Sequence, residues 1–156
     1  MNYRLLRFVK KNFQKPGTAL DLGSGEGFDV ACLKNIGWNV RGVDLKTGTD
    51  LNLPFSTKKV DLIYSNYVLQ FIKNKKEFVN SCFNNLKNGG LIFIHTFDKS
   101  DRVLKNTLTA KEIKKIFESK FTDLKIRVFS EFDNHPKHRH WHKILEISGK
   151  KKDLSQ

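Results

Sequence analysis

A glycine-rich loop flanked by acidic residues is the part of this sequence best suited to bind a ligand. The loop reads Asp21-Leu22-Gly23-Ser24-Gly25-Glu26-Gly27 and stands between a short apolar stretch and a predicted helix. Glycines let the backbone turn tightly and approach a ligand where a Cβ atom would collide. Asp44 ends the next predicted strand, where a carboxylate can accept hydrogen bonds from both hydroxyls of a ribose. The pattern predicts a loop that binds a nucleoside-containing ligand.

The same loop departs from two common phosphate-binding motifs. A dinucleotide fingerprint would have its third glycine at position 28, where this chain has Phe28, and the Gly-Lys-Ser/Thr of a P-loop is absent. A carboxylate at Asp21 would repel a pyrophosphate, whereas it suits a cationic amino-acid group. The loop therefore disfavours NAD, FAD and nucleoside triphosphates as its ligands.

Four of the five histidines lie in one short segment, His135-Pro136-Lys137-His138-Arg139-His140-Trp141-His142. In a strand, His138, His140 and His142 would share one face because side chains alternate. A neutral imidazole near its ordinary pKa is a usable base, so substrate binding or proton removal by His138 and His140 is the favoured interpretation. A shared metal ion and simple exposure to water are the alternatives. No acidic or thiol ligand lies close in sequence, so the prediction is a site without a metal.

Strands alternate with helices along the chain, which predicts one α/β domain with a mostly parallel, doubly wound sheet. No helix separates the last two strands, so they are expected to pair as an antiparallel hairpin. We assign the domain to residues 1–149 and a polar tail to 150–156. The seven predicted strands are Thr18–Leu22, Asn39–Asp44, a brief one near Thr49–Leu51, Val60–Asn66, Leu91–Phe97, Phe121–Ser130 and His140–Ser148.

Four helices are predicted between these strands. The first has Leu5, Leu6, Phe8, Val9 and Phe13 on one face and ends before Pro16-Gly17, and the second covers Phe28–Asn35. The third is expected to bury Phe71, Phe78, Val79, Cys82, Phe83 and Leu86 and to end at Asn88-Gly89-Gly90. The fourth begins with the capping-box spacing of Thr109 and Glu112 and extends through Phe117.

The predicted topology places several polar residues at one edge of the sheet. Ligands of open α/β sheets bind at the carboxyl ends of the strands. The turn of the hairpin lies at this edge, so the histidine segment is expected to overlook the glycine loop. His95, near the end of the fifth strand, and Tyr67, after the fourth, reach the same edge. Both are candidate catalytic residues, and a purely structural role is an equal alternative for each.

Taken in order, these motifs resemble those of the class I S-adenosylmethionine-dependent methyltransferases, whose fold is Rossmann-like. The first motif of that family resembles Ala19–Gly27, and later ones resemble Val60–Leu69 and Leu86–Gly90, with Asn88 at the usual proline. The resemblance implies S-adenosylmethionine as cofactor, with Asp44 binding the ribose. The implied cofactor contacts are Asp21, Gly23, Ser24, Gly25, Gly27, Asp44, Leu45, Asp50, Leu51, Ser65 and Asn66.

The segment after the fourth strand bears on the methyl acceptor. Methyltransferases of this fold that modify base amino groups carry an Asn/Asp-Pro-Pro-Tyr/Phe loop there, whereas this chain has Ser65-Asn66-Tyr67-Val68. It is more similar to small-molecule methyltransferases of the tellurite-resistance type, which carry similar histidine-bearing hairpins. We therefore expect a small-molecule acceptor, with Tyr67, His95, His138 and His140 as catalytic candidates. An RNA-modifying methyltransferase and a non-catalytic cofactor-binding module are the alternatives.

Composition limits the possible partners and location. The formal charge is +13, but the basic residues are dispersed, so nucleic acid is the less favoured partner. The two cysteines, Cys32 and Cys82, fall in predicted helices and indicate reduced thiols rather than a disulfide framework. No apolar run is long enough to span a bilayer. We expect a cytoplasmic enzyme without a membrane partner, as a monomer or homodimer.

Overall fold

The computed structural model describes residues 2–104, 107–137 and 139–153. Its helices and strands follow the predicted alternation, with two short 3₁₀ turns at Leu45–Thr47 and Leu69–Phe71. The helices are α1 (Tyr3–Asn12), α2 (Phe28–Asn35), α3 (Lys75–Asn85) and α4 (Ala110–Phe117). The strands are β1 (Thr18–Leu22), β2 (Asn39–Val43), β3 (Val60–Asn66), β4 (Leu86–Phe97), β5 (Phe121–Asp133) and β6 (His140–Lys151).

The strands form one sheet in the order β2-β1-β3-β4-β6-β5. The pairs β1–β2, β1–β3 and β3–β4 are parallel, while β6 is antiparallel to both β4 and β5. The mostly parallel α/β sheet with an antiparallel C-terminal hairpin is therefore confirmed. β6 continues two residues past Gly149, and the ammonium of Lys151 donates to the carbonyl of Leu86.

The seventh strand, predicted near Thr49–Leu51, does not form, so the sheet has six strands within the described residues. Asp44 and Thr47 instead form a capping box that starts a 3₁₀ turn, and Gly48 closes that turn with a φ of +90°. A further local turn follows, in which the Asp50 carboxylate accepts hydrogen bonds from Asn52. These local hydrogen bonds engage the polar groups of a short segment that would otherwise have to pair in a seventh strand.

The prediction for the third helix is wrong at both ends. Phe71 lies in a 3₁₀ turn before α3 and is 70% exposed, because helical winding begins only at the Asn74 cap. At the other end, Leu86 is buried but already belongs to β4, so Asn88-Gly89-Gly90 lies within that strand. The register between β3 and β4 shifts between Val60 and Leu62, which accommodates these extra residues as a bulge.

The sheet buries an apolar layer on each face. One layer packs against α1 and α2 and the other against α3 and α4, as expected when both faces of a parallel sheet are covered. The first layer includes Leu5, Val9, Leu33, Trp38, Tyr64 and Phe93. The second includes Leu20, Ile63, Phe78, Cys82, Phe117 and Ile147.

The hairpin of β5 and β6 extends beyond the carboxyl edge of the parallel strands. β4 ends at Phe97, which pairs with Ile144, and Ile144 pairs in turn with Phe129. The following pairs, Ser130–Asp133 with His140–Lys143, have no neighbour on β4 and stand above the edge. His140 and His142 are thus at the edge predicted from topology. No helix among the described residues is both long and apolar enough to span a bilayer.

Candidate active site

The glycine loop is held against the end of β2 and turns its backbone toward open space. The amides of Gly23 and Ser24 both donate to the carbonyl of Val43, at 2.8 and 3.1 Å. Gly23 has a φ of +81°, and a Cβ added there would lie 2.2 Å from Val68 Cγ2. Gly25 and Gly27 also have positive φ, but nothing lies within 4 Å of their would-be Cβ positions. The loop therefore has both the bend and the open backbone that a closely bound ligand requires.

Asp44 lies directly beside this loop. Its carboxylate accepts hydrogen bonds from the amides of Gly25 and Lys46, each at 3.0 Å. The bond from Lys46 and then that from Gly25 lower the pKa of Asp44, so the group is ionised at neutral pH. An ionised carboxylate has further lone pairs and can still accept hydrogen bonds from a ligand.

A cleft of about 510 Å³ opens between the loop, the start of α1 and the hairpin. This volume falls within the range of roughly 300–1,000 Å³ typical of small-molecule sites. Its lining within the described part of the chain includes three carboxylates and one guanidinium. The lining residues are Asn2, Tyr3, Arg4, Asp21, Gly23, Ser24, Phe28, Asp29, Asn66, Tyr67 and Glu131.

Asp21 is an acidic group buried under an open cleft. Its residue is only 4% exposed, and desolvation, followed by the negative charge of Asp29, raises its pKa to about 7. The Tyr64 hydroxyl acts on this carboxyl and partly offsets the increase in pKa. That hydroxyl is itself buried and makes no hydrogen bond of ordinary geometry among the described residues. A cationic group of a ligand at this position would stabilise the ionised carboxylate.

Asn2, the residue that precedes α1, is hydrogen-bonded to residues at the floor of the cleft. Its side-chain amide donates to Asn66 at 2.8 Å and to His95 at 3.0 Å, and its backbone amide donates to Asp29 at 2.8 Å. Its side-chain oxygen accepts from the amides of Arg4 and Leu5 and so caps α1. The start of α1 is thereby fixed to the ends of β3 and β4.

His95 is enclosed by protein groups on both sides of its ring. It is 1% exposed, accepts from Asn2 at Nδ1, and donates from Nε2 to Glu146 at 3.0 Å. The hydrogen bond from His95 is the main reason that the pKa of Glu146 is lowered. With both nitrogens engaged, His95 is placed to position its neighbours rather than to exchange a proton with a ligand.

Tyr67 forms part of the cleft wall in a strained backbone conformation. Its φ is +59°, a region that non-glycine residues seldom adopt and that clusters at functional sites. Its hydroxyl donates to Glu131 on the hairpin at 3.0 Å. Burial, followed by the nearby Glu131 carboxylate, raises the pKa of Tyr67, so the phenol stays protonated at neutral pH. Tyr67 and Glu131 thus line the cleft as a hydrogen-bonded pair that joins the end of β3 to the hairpin.

Two of the predicted histidines form a hydrogen-bonded chain with a carboxylate. His140 Nε2 lies 2.9 Å from His142 Nε2, and His142 Nδ1 lies 3.0 Å from Asp101 Oδ2. His142 is the cross-strand partner of Glu131, so their side chains emerge on the same face of the hairpin. His138, predicted as a third member of the cluster, lies outside the described residues.

Asp101 is held ionised by the backbone around it. Burial alone would raise its pKa, but hydrogen bonds from the amides of Leu104, Lys143 and Val103 outweigh this effect and lower it. The backbone hydrogen bonds therefore fix the Asp101 carboxylate in place independently of its hydrogen bond to His142. Within the described residues, no group of three or more potential ligands has the geometry of a metal site.

The remaining predicted cofactor residues do not all face the cleft. Ser65 is fully buried and donates to the carbonyl of Leu22 at 2.7 Å, so it joins β3 to β1. Leu51 is buried in the core layer that also contains Val43. Leu45 is exposed, and Asp50 is held in its local turn by Asn52. The structure therefore brings together the glycine loop, Asp21, Asp44 and Asn66, but not the side chains of Ser65 and Leu51.

Sequence reasoning missed five polar residues of this region: Asn2, Asp29, Asp101, Glu131 and Glu146. Asp29 had a usable signal, because it is an acid in the first turn of the helix that follows the glycine loop. His142 was assigned to the histidine face but not to a catalytic role. The other four missed residues reach the site only through contacts between distant segments, which spacing along the chain does not reveal.

The methyltransferase domain family model matches residues 1–147. The chain belongs to this family. The family and the enzyme class expected from the motifs are therefore confirmed. No curated protein matches the sequence.

Solved structures of methyltransferases share the fold at low sequence identity. TehB from Haemophilus influenzae has a TM-score of 0.77 at 16% identity, over 97% of this chain and 63% of the TehB chain. A SAM-dependent methyltransferase from Archaeoglobus fulgidus has a TM-score of 0.72 at 19% identity, over 96% and 92% of the two chains. The 1,6-didemethyltoxoflavin-N1-methyltransferase of Burkholderia thailandensis, solved with S-adenosylhomocysteine, has a TM-score of 0.70 at 18% identity, over 94% and 76%. This chain thus spans somewhat less than two thirds of TehB.

The buried Asp21 predicts an unusual pH dependence of stability. Its pKa rises from 3.8 in the unfolded chain to about 7 in the fold, so the ionised form destabilises the fold increasingly as the pH rises from about 4 to 7. We expect Asp21→Asn to raise the free energy of unfolding at pH 8 by up to roughly 4 kcal/mol, with little change near pH 4. Urea unfolding at both pH values measures the difference.

Asp61→Asn is the matched control, and its expected change in the free energy of unfolding has the opposite sign. Burial would raise the pKa of Asp61, but hydrogen bonds from Thr18 and the ion pair with Lys87 lower it. The ionised Asp61 therefore stabilises the fold above its unfolded pKa, and Asp61→Asn should destabilise the protein at pH 8 and less so in acid. Equal stability of Asp21→Asn and the parent at both pH values would contradict the assignment of Asp21.

Proposed function

We propose that this chain transfers a methyl group from S-adenosylmethionine to a small-molecule acceptor in the cleft between the glycine loop and the hairpin. The observation that carries the proposal is the excess of negative charge among the residues that line the cleft. Among the described lining residues, three acids, Asp21, Asp29 and Glu131, accompany one guanidinium, that of Arg4, although the chain as a whole has a formal charge of +13. A cleft of this kind attracts a cationic ligand and repels the phosphates of a nucleic acid.

The residues present fit the cofactor. Among the described residues Asp21 forms no ion pair, and its carboxylate and the adjacent Tyr64 hydroxyl suit the ammonium group of the methionine portion. The open backbone at Gly25 and Gly27 leaves room for the ligand, and Asp44 can accept hydrogen bonds from ribose hydroxyls. When bound, S-adenosylmethionine supplies an electrophilic methyl group on a sulfonium centre. The chain's own task is then to orient the acceptor in line with that methyl group and to exclude water.

We assign the acceptor side of the cleft to Tyr67, Glu131 and the histidine chain. When both histidines are neutral, donation from His142 Nδ1 to Asp101 and from His140 Nε2 to His142 Nε2 places the unprotonated nitrogen of His140 at Nδ1. His140 is thus the proposed proton acceptor for a hydroxyl or amine acceptor, and Asp101 and His142 are positioning residues. This role for His140 follows the prediction made from the alternating histidines.

For location and assembly we keep the expectation of a cytoplasmic monomer or homodimer. Both cysteines, Cys32 and Cys82, are free thiols, which suits a reducing compartment.

Cofactor binding is tested by isothermal calorimetry with S-adenosylmethionine and S-adenosylhomocysteine. We expect micromolar binding by the parent and a loss of more than about tenfold in Asp44→Ala, because the carboxylate both orders Gly25 and accepts from the ligand. Thr47→Ala is the matched control: it removes the other half of the capping box without touching the carboxylate. No binding by a folded parent would refute the proposed cofactor.

The histidine chain is tested by S-adenosylhomocysteine formation against a panel of small thiols, amines and hydroxylated aromatic compounds. With an amine or hydroxyl acceptor, His140→Gln should lower kcat by about a hundredfold, and His142→Gln and Asp101→Asn should lower it by less, while cofactor affinity stays unchanged. The variants should also change the pH profile of kcat, since they remove the proposed proton acceptor or the groups that position it. His135→Gln, at the exposed tip of the hairpin, is the control. If kcat and its pH profile are unchanged in all three variants, His140, His142 and Asp101 have no part in the mechanism.

A further inference from the structure

A second cavity, separate from the cleft, lies between α1 and the outer strands of the sheet. It measures about 420 Å³, and Phe8 and Phe93 contribute aromatic surface to it with their rings 4.9 Å apart. Six cationic side chains surround this groove, three from the helix and three from the strands. They are Arg4, Arg7 and Lys11 of α1, and Lys125, Arg127 and Lys150 of β5 and β6.

The fold places the two sets of cations on facing walls. Positions 4, 7 and 11 are spaced three and four residues apart and therefore share one helix face. Lys125 and Arg127 alternate along β5, and Lys125 pairs with Ser148, two residues before Lys150, so all three strand residues emerge on one face of the sheet. The arrangement is a consequence of register, not of a run of lysines in the sequence.

The carboxylates of the groove do not balance these charges. Asp123 and Glu146 lie among its walls, and Glu146 is already engaged by His95 at 3.0 Å and by Arg4 at 3.5 Å. Over residues 2–104, 107–137 and 139–153, Arg4 is the one member of the six that forms an ion pair within 4 Å. Arg127 also acts electrostatically on Glu146. Six positive charges thus lie around the groove with two carboxylates among its described lining residues, an excess that favours an anionic ligand.

We propose that this groove binds a small anion bearing two or three phosphate groups. Three arginines supply planar forks that match phosphate oxygens, and the lysines add point charges from the facing wall. The volume suits a small ligand. This site is independent of the methyl-transfer proposal, because it rests on the second groove alone.

Anion binding would also hold α1 on the sheet. Arg4 lines both cavities and stacks on Phe129 with its guanidinium carbon 3.6 Å from the ring centre. The cap of the same helix, Asn2, is hydrogen-bonded to Asn66 and His95. An anion bridging α1 to β5 therefore restrains the helix that borders the cofactor cleft.

The experiment titrates the full chain with inorganic tripolyphosphate by calorimetry at constant ionic strength, with ATP in a parallel arm. We expect saturable binding of one tripolyphosphate and slower hydrogen exchange of the α1 amides. A triple variant, Arg7→Gln, Lys125→Gln and Arg127→Gln, should weaken binding at least tenfold. The matched control, Lys34→Gln, Lys76→Gln and Lys114→Gln, removes the same charge from exposed positions elsewhere and should bind like the parent.

Each outcome bears on the site directly. Equal affinity for tripolyphosphate and ATP supports recognition of the phosphates alone, and tighter ATP binding that the triple variant loses supports a nucleotide. The proposal is overturned if tripolyphosphate does not saturate, or if the control variant loses as much affinity as the groove variant. It is also overturned if only a twelve-nucleotide single strand binds in a groove-dependent way, since the surface would then be a nucleic-acid site.

Discussion

Parallel pairing of β1, β3 and β4 brings the functional groups of this chain to one edge of the sheet. Asp21 pairs with Tyr64, and Asn66 pairs with His95, so residues far apart in sequence become neighbours at the carboxyl ends of adjacent strands. The glycine loop, the Asn2 cap and the hairpin then pack around these positions. A one-residue change of register would turn each of these side chains to the opposite face of the sheet, so the backbone pairing specifies the site.

The second constraint is electrostatic, because the same edge holds an acid, Asp21, that is 4% exposed. An isolated buried carboxylate is unfavourable, and Asp29 makes Asp21 more so. The neighbouring acids behave differently: Asp44 and Asp101 accept several backbone hydrogen bonds each, and these bonds lower their pKa values. Among the described residues no positive side chain pairs with Asp21 within 4 Å, so the fold gains no stability from its ionised form. The cationic ligand proposed above would supply that missing charge.

Local signals in the sequence were sufficient for much of the fold. The Thr109 capping box, the strand Val60–Asn66 and the loop after β1 depend on residues within a few positions of one another. The sequence was less informative where distant segments compete. The segment after Asp44 satisfies its polar groups in local turns rather than in a seventh strand, and Phe71 lies before the helix that was expected to bury it. Asn2 and Glu131 join the cleft through tertiary contacts that have no periodic pattern.

Composition alone could not indicate how the charge is distributed. A formal charge of +13 with dispersed lysines gives no reason to expect an acidic cleft, yet β5 carries both Glu131 at the cleft and Arg127 at the groove on one face. Because side chains alternate, these two residues lie four positions apart along the same row. One face of β5 thus borders the acidic cleft at Glu131 and the basic groove at Arg127. Arg4 lies between them, paired with Glu146 and in contact with both cavities, so the position of α1 links the two regions physically.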